Sequence, residues 1–314
     1  MRIAYFGHRS IACGPLEAML SGGREVVGIV AHPEDSVLSD PEWSARVRAL
    51  AGEAGVPLET PEEIDEEFLA TFRGWNVDLG VVVGYLSILR PSLLEIPRRG
   101  FINIHAGLLP RYRGRAPLAW AIMNGDKEAG LSIHVIDEGV DSGPVIAQRK
   151  YAIGENETSG ELYQRIQLDI PGLVMEVVDR MEAGPVEGTP QDEERAMCFP
   201  LVTPAHARID WARPAARIHD QVRALSRPYP GAWTLYRGRK LTVWRTSCLP
   251  SELPDCFPGT VVGCRPGKGV VVSTGSGYLL VEEVQRDSGE PRLAWKVLRR
   301  AGVSLGLDPS ELEW

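Results

Sequence analysis

The sequence predicts an α/β protein: a doubly wound, mostly parallel sheet over residues 1–205, then a small β-barrel domain over residues 206–314. Three observations predict it. Short apolar runs alternate with helix-spaced patterns through the first half, as strand–helix–strand units do. Asp78 to Val83 is dominated by a continuous apolar run, the pattern of a strand buried on both faces. From about Pro230, several short strand-like runs are separated by Gly, Pro or charged turns.

The elements follow in order. Ile3 to Phe6 is an apolar strand ending at Gly7, and a helix covers Gly14 to Ser21. Glu25 to Ala31 is the second strand, through Val26, Val27, Ile29 and Val30. Asp40-Pro41 starts a helix, with Asp at the N-cap and Pro at the first position. Its residues Trp43, Val47, Leu50 and Ala51 have helical spacing. Gly55-Val56-Pro57-Leu58 reads as a short strand, and Gly100 to His105 and Leu131 to Asp137 as further strands. Thr158 to Met181 reads as one long helix kinked at Pro171. A polar connector, Gly184 to Arg195, precedes a helix over roughly Pro214 to Leu225. The barrel strands are Ala232–Tyr236, Lys240–Thr246, Gly259–Cys264, Gly269–Thr274 and Gly277–Val284.

Composition excludes several functions. A formal net charge of -8 argues against a protein whose main affinity comes from neutralising phosphates, without excluding a local basic patch. No apolar run is long enough to span a bilayer, and the N-terminus lacks the pattern of a signal peptide. Cys13, Cys198, Cys248, Cys256 and Cys264 are scattered, with no CxxC or Cys/His pairing, so reduced thiols are expected and no metal site. A cytoplasmic location follows from these readings. Gly7, His8 and Gly14 do not fit GxGxxG, and neither GxxxxGK[ST] nor GxSxG occurs. Nicotinamide, P-loop nucleotide and serine-hydrolase chemistry are thereby disfavoured.

Polar residues of complementary type mark a candidate site. Asn103 and His105 are two apart on a strand and share a face. Asp141 lies in Gly139-Val140-Asp141-Ser142-Gly143. Ligands of doubly wound sheets bind beyond the carboxyl ends of strands, where all three are expected. Each alone has a plainer structural reading. Together, an amide, an imidazole and a carboxylate suit acyl transfer to an amine. Arg111, Tyr112, Arg113 and Arg115 form a basic cluster, read either as a solvated loop or as a clamp for an anionic group. Tyr85-Leu86-Ser87-Ile88-Leu89 offers backbone groups and apolar side chains suited to a flat heteroaromatic ring.

These residues resemble the 10-formyltetrahydrofolate-dependent formyltransferases. The resemblance rests on Asn103-Ile104-His105, Leu108 to Gly114 and Asp137 to Gly143. It extends through Ala207-Arg208-Ile209-Asp210-Trp211, Pro228 to Ala232 and Val243-Trp244, and so covers nearly the whole chain. It implies a Rossmann-like catalytic domain followed by an OB-like barrel. It also implies 10-formyltetrahydrofolate as cosubstrate, no metal, and Asn103, His105 and Asp141 as the catalytic residues. The pterin would lie against Tyr85–Leu89 and against Ile136, Asp137, Glu138, Gly139 and Val140. Asp141 would raise the pKa of His105. One departure is Gly107, where relatives commonly carry Ser.

The acceptor is expected to be a small-molecule amine. Tyr112 to Trp120 resembles the domain that formylates UDP-4-amino-4-deoxy-L-arabinose, as does the chain end at Leu305-Gly306-Leu307. A hydroxyornithine of siderophore synthesis and methionyl-tRNA are the alternatives, with a folate-binding protein as the non-enzyme alternative. The acidic stretch His32 to Asp40 stands where tRNA-specific relatives carry a basic loop, which argues against tRNA.

Overall fold

β1 (Arg2–Gly7) lies inside a seven-stranded sheet and is hydrogen-bonded on both sides. The computed structural model describes residues 1–34, 40–250, 256–287 and 289–306. After β1 come α1 (Cys13–Ser21), β2 (Glu25–Val30), α2 (Pro41–Ala54), β3 (Leu58–Glu59), α3 (Glu66–Gly74), β4 (Leu79–Val83) and α4 (Pro91–Leu94). Then follow β5 (Phe101–His105), β6 (Arg113–Gly114), α5 (Pro117–Met123), β7 (Glu128–Val135), β8 (Val145–Ala152) and α6 (Ser159–Ala183). The sheet order is β3-β2-β1-β4-β5-β7-β8. β1, β2, β3, β4 and β5 pair in parallel, and β7 is antiparallel to β5. The chain winds out to β3 and returns at β4, so the topological switch lies between β1 and β4.

Local sequence explains these elements. Asp40 accepts the Trp43 amide at 3.0 Å, and Pro41 opens α2. Trp43, Val47, Leu50 and Ala51 are its buried face. Every residue of β4 is buried, which accounts for its unbroken apolar run. Gly80 is required there, since an added Cβ would fall 2.0 Å from the Phe101 ring. Ala4, Phe6, Val30, Val82 and Phe101 form a core with Phe68, Leu69 and Phe72 of α3. Asp65 caps α3 by accepting the Phe68 amide.

Three short helices, α3, α4 and α5, escape pattern reading. The strand expected at 55–58 shrinks to Leu58–Glu59. α6 runs on through Pro171 to Ala183. The ring of Pro171 stands where a Gly14 Cβ would fall, 2.9 Å from it.

The chain divides into two compact units. The first gathers residues 1–114, 130–151 and 164–198, and the second 115–129, 152–163 and 199–314. The sequence pattern predicts one cut after residue 205; the observed division is interleaved. The final stretch begins at β9 (Cys198–Phe199), which pairs with β6. Next come α7 (Pro204–Ala207), α8 (Ala215–Ala224), β10 (Ala232–Tyr236), β11 (Arg239–Leu249), β12 (Val261–Arg265), β13 (Gly269–Ser273), β14 (Tyr278–Arg286), β15 (Arg292–Leu293) and α9 (Ala294–Val297). They form an antiparallel sheet in the order β10-β11-β14-β13-β12, with β15 on β14. No helix among the described residues is long and apolar enough to cross a membrane.

Candidate active site

Antiparallel register builds the site. Asn103 of β5 pairs with His134 of β7, and His105 with Ser132. Directly paired residues share a face, so two strands present four polar side chains together. Ser132 Oγ donates to the Gly107 carbonyl at 2.6 Å and accepts the Leu109 amide at 3.3 Å, which holds the turn after β5.

Asp141 closes the cluster. Its Oδ2 lies 3.5 Å from His105 Nδ1, and its Oδ1 lies 3.3 Å from His134 Nε2. The Gly114 amide donates to Oδ2 at 2.9 Å. Asn103 Nδ2 reaches His134 Nε2 at 3.1 Å and Asp141 Oδ1 at 3.3 Å. The Asp141 carboxylate thus accepts one N–H of that amide, and Nε2 of His134 faces both Asn103 and Asp141. His105 Nε2 faces the Tyr112 carbonyl at 2.7 Å. Tyr112 holds that carbonyl at φ 62° and Gly114 presents its amide at φ 90°. Left-handed backbone at Tyr112 costs roughly 1–3 kcal/mol, which the surrounding contacts must offset.

Electrostatics separate the two ionisable partners. Burial pushes the His105 imidazole below its ordinary value, against the upward pull of Asp141 and the Tyr112 carbonyl. Asp141 thus raises His105 as the resemblance implies, and burial outweighs that pull. Burial also pushes Asp141 up. The His134 hydrogen bond, the His105 charge and the Gly114 amide overcome that and hold it well below the usual carboxylate range.

Asn103, His105 and Asp141 are thus brought together, but not all by strand ends. His105 ends β5, whereas Asn103 lies within it. β7 runs against β5, so Val135 pairs with Ile102, near the start of that strand. The loop after β7 folds back to deliver Asp141. His134 escapes a reading of the sequence, because only the register reveals it.

The basic cluster divides. Arg113 is buried and turned inward, donating to Gln191 Oε1 through Nε and Nη2 at 3.1 and 3.0 Å and to Glu193 at 2.9 and 2.6 Å. Gln191 Nε2 in turn donates to the carbonyls of Asp141 and Gly143 at 2.8 and 2.7 Å. Arg113 therefore braces the Asp141 loop, and its reading as an anion clamp is corrected. Tyr112 is also buried; the Arg111 guanidinium stacks on its ring at 5.1 Å. Of the four, Arg115 alone is exposed. Replacing Gln191 by leucine is expected to lower kcat more than it changes KM. It should also cost about 1–3 kcal/mol of stability, read by thermal melting, since the Asp141 loop loses its brace.

The two loops expected to hold a folate ring converge on one core. Tyr85, Leu89 and Ile136 all belong to the cluster containing Val82 and Phe101. Ile88 and Val140 leave large apolar side chains exposed, at 84% and 58%, while Ser87, Asp137, Glu138 and Gly139 are also exposed. The Leu86 amide donates to His32 Nε2 at 3.2 Å, and the Gly139 amide to Asp137 at 3.1 Å. Exposed apolar side chains beside polar loop backbone are the features that the resemblance assigns to pterin binding.

Beside it, at the carboxyl ends of β1 and β2, stand two buried histidines that no sequence motif marks. His32 stacks on Tyr85 at 4.2 Å, and His8 meets His32 edge-on at 5.1 Å. Burial first, then His32, lowers His8 to about 4, and burial lowers His32.

Comparison with known proteins decides the family. A formyl transferase profile matches residues 1–178, and a formyl transferase C-terminal domain profile matches residues 201–301. The chain belongs to the formyl transferase family. The formyltransferase is 38% identical to the methionyl-tRNA formyltransferase of Symbiobacterium thermophilum, across 98% of this chain and 94% of that one. It is also 38% identical to that of Sorangium cellulosum, across 98% and 100%.

Solved structures share its fold. An N-formyltransferase from Helicobacter canadensis, in complex with folinic acid and dTDP-3-aminofucose, matches with TM-score 0.68 at 18% identity, over 91% of this chain and 99% of that one. HypX from Aquifex aeolicus, in complex with tetrahydrofolic acid, matches with TM-score 0.61 at 19% identity. That match covers 95% of this chain, which spans about half of HypX (47%). Folates in both relatives accord with the expected formyl donor. Among the described residues no His, Cys, Asp and Glu group is arranged to hold a metal ion.

Proposed function

We propose that this formyltransferase moves the formyl group from N10 of 10-formyltetrahydrofolate to the amino group of methionyl-tRNA. The Asn103–His105–Asp141–His134 constellation supports the chemistry. A C–N bond forms between the acceptor amine and the formyl carbon, and the bond from that carbon to N10 breaks. Asn103 Nδ2 donates to the oxygen that gains charge as the amine attacks. His105 takes the proton the amine loses and returns it to N10 as tetrahydrofolate leaves. Its lowered pKa keeps the imidazole neutral and able to accept that proton. Asp141 orients the ring and stabilises it once charged.

The observation that carries the acceptor is a basic groove on the second unit. A cavity of about 690 Å³ is lined by Arg237, Arg286, Arg292, Lys296, Arg299 and Arg300, against one acidic residue, Glu290. All six cations are exposed. On a chain of net charge -8, this is a local site for an anionic partner. The full-length relatives named methionyl-tRNA formyltransferase support the same reading. The expectation of a small-molecule acceptor rests partly on the acidic stretch after His32. Its residues Asp35 to Ser39, and Leu307 near the chain end, lie outside the described residues. The six-stranded antiparallel sheet supports the OB-like reading of the barrel.

A second reading is favoured by exposed Arg115 and by the run from Tyr112 to Trp120, which resembles the amino-sugar enzymes. It gives the amine of a UDP-amino sugar as acceptor. One assay separates the two: tetrahydrofolate release with methionyl-tRNA, UDP-4-amino-4-deoxy-L-arabinose and hydroxyornithine. Turnover on methionyl-tRNA is expected to weaken as salt rises, with a log–log slope of about −0.9 per phosphate contacted. Arg292→Glu and Arg299→Glu should each lower kcat/KM for tRNA at least tenfold and leave KM for the folate unchanged. Formylation of the sugar nucleotide alone, indifferent to both variants, overturns the tRNA reading.

A further inference from the structure

The loop after β4 leaves the sheet abruptly. The His8 amide donates to the Val83 carbonyl at 3.1 Å, and Gly84 then turns the chain at φ 67°. A Cβ on Gly84 would fall 3.0 Å from the His8 carbonyl, so glycine suits this turn. Past the turn, the loop is fastened at two places. Leu89 is buried in the core with Val82 and Phe101. Nearer the turn, the Leu86 amide donates to His32 Nε2 at 3.2 Å. Between these anchors, Ser87 and Ile88 are exposed.

His32 follows β2, and the sheet order β2-β1-β4 makes it reach across β1 to do this. Its ring lies nearly parallel to that of Tyr85, at 9° and 4.2 Å. His8 closes on it edge-on from the end of β1, and Phe6 meets the Tyr85 ring edge-on at 5.5 Å. The imidazole is 5% exposed and held on two sides. Accepting an amide requires a bare Nε2, which puts the proton of the neutral ring on Nδ1. Burial disfavours the charged form and so keeps that lone pair. A buried, neutral, stacked imidazole is a rigid acceptor for one particular backbone N–H.

We propose that His32 is a positioning residue for the formyl donor. It accepts the Leu86 amide and backs the Tyr85 ring, and so holds the backbone of Leu86 to Leu89 in the arrangement that meets the pterin. The proposal rests on the reading that this loop takes the pterin. The role belongs to binding: a loop that holds its competent arrangement only a tenth of the time loses about tenfold in apparent affinity.

Paired substitutions separate the hydrogen bond from the stacking. Phenylalanine keeps a flat ring against Tyr85 and lacks the acceptor. Glutamine loses the ring, yet its Oε1 can stand near the place of Nε2. His32→Phe is expected to raise KM for 10-formyltetrahydrofolate about tenfold, with kcat at saturating donor within about threefold and KM for the acceptor unchanged. Calorimetric titration with folinic acid should show the same loss. His32→Gln should stay within about threefold of the parent in both measurements. His32→Asn is too short to reach Leu86 and should behave as His32→Phe; it takes over if melting shows the phenylalanine variant unfolded. Amide hydrogen exchange at Leu86 should quicken in the phenylalanine and asparagine variants and not in His32→Gln. Parental donor KM in folded His32→Phe overturns the proposal. Equal losses in His32→Phe and His32→Gln also overturn it, because packing alone then explains them.

Ile88→Ser, at the exposed tip, tests the loop itself and should raise donor KM. If it does and His32→Phe does not, the loop takes the pterin and only the role of His32 fails. If neither variant changes donor KM while exchange at Leu86 quickens in His32→Phe, His32 fastens the loop, and the reading of that loop as the pterin site fails.

Discussion

His105→Ala is expected to lower kcat by roughly 10²–10⁴-fold, the usual worth of a positioned acid–base group. The side chain is buried, with one ring nitrogen 2.7 Å from the Tyr112 carbonyl and the other 3.5 Å from Asp141. Removing it takes away the imidazole proposed to carry a proton between amine and N10. The fold should survive, because Asp141 keeps its contact with His134 and its bond from the Gly114 amide. Circular dichroism and melting of the variant should resemble the parent, with KM for the folate nearly unchanged. Parental turnover in a folded His105→Ala protein would rule out proton transfer through this imidazole.

Asn103→Ala is the second large effect. Losing a preorganised oxyanion donor costs about 3–4 kcal/mol of barrier, or roughly 10²–10³ in kcat. The loss should fall on kcat with both substrates saturating, since the donor matters most as charge develops. Asn103→Asp gives a further check. It sets a second carboxyl beside Asp141, from which Asn103 Nδ2 is now 3.3 Å, and like charges that close raise one pKa. Its activity should therefore shift with pH in a way the alanine variant does not. If Asn103→Ala lowers only affinity for the acceptor, Asn103 is a binding group.

Much of the site was legible because its residues advertise themselves locally. Asn103 and His105 sit two apart on one strand, and Asp141 sits in a glycine-flanked loop. What stayed hidden depends on pairing between distant segments. His134 joins the cluster only through the register that sets it opposite Asn103. Arg113 looks like a free cation in a basic run, yet Gln191, seventy-eight residues later, claims it. Long, strongly patterned elements such as α2 were readable from caps and apolar spacing. The short α4 and α5 were not, since four to seven residues carry too little periodicity to register.

The interleaved division of the chain has a consequence for its synthesis. The second unit needs residues 115–129 and 152–163, which leave the ribosome well before residue 199 does. Arg223 donates to the carbonyls of Gly154 and Glu157, and Ser159 Oγ to that of Ala224. These early segments must wait for partners made some sixty residues later, whereas the first unit has all its parts once residue 198 has emerged. A fragment beginning at residue 206 would lack those carbonyls and that hydroxyl altogether. The barrel is therefore not a detachable cassette, and exchanging it between relatives requires transplanting three stretches of chain rather than one.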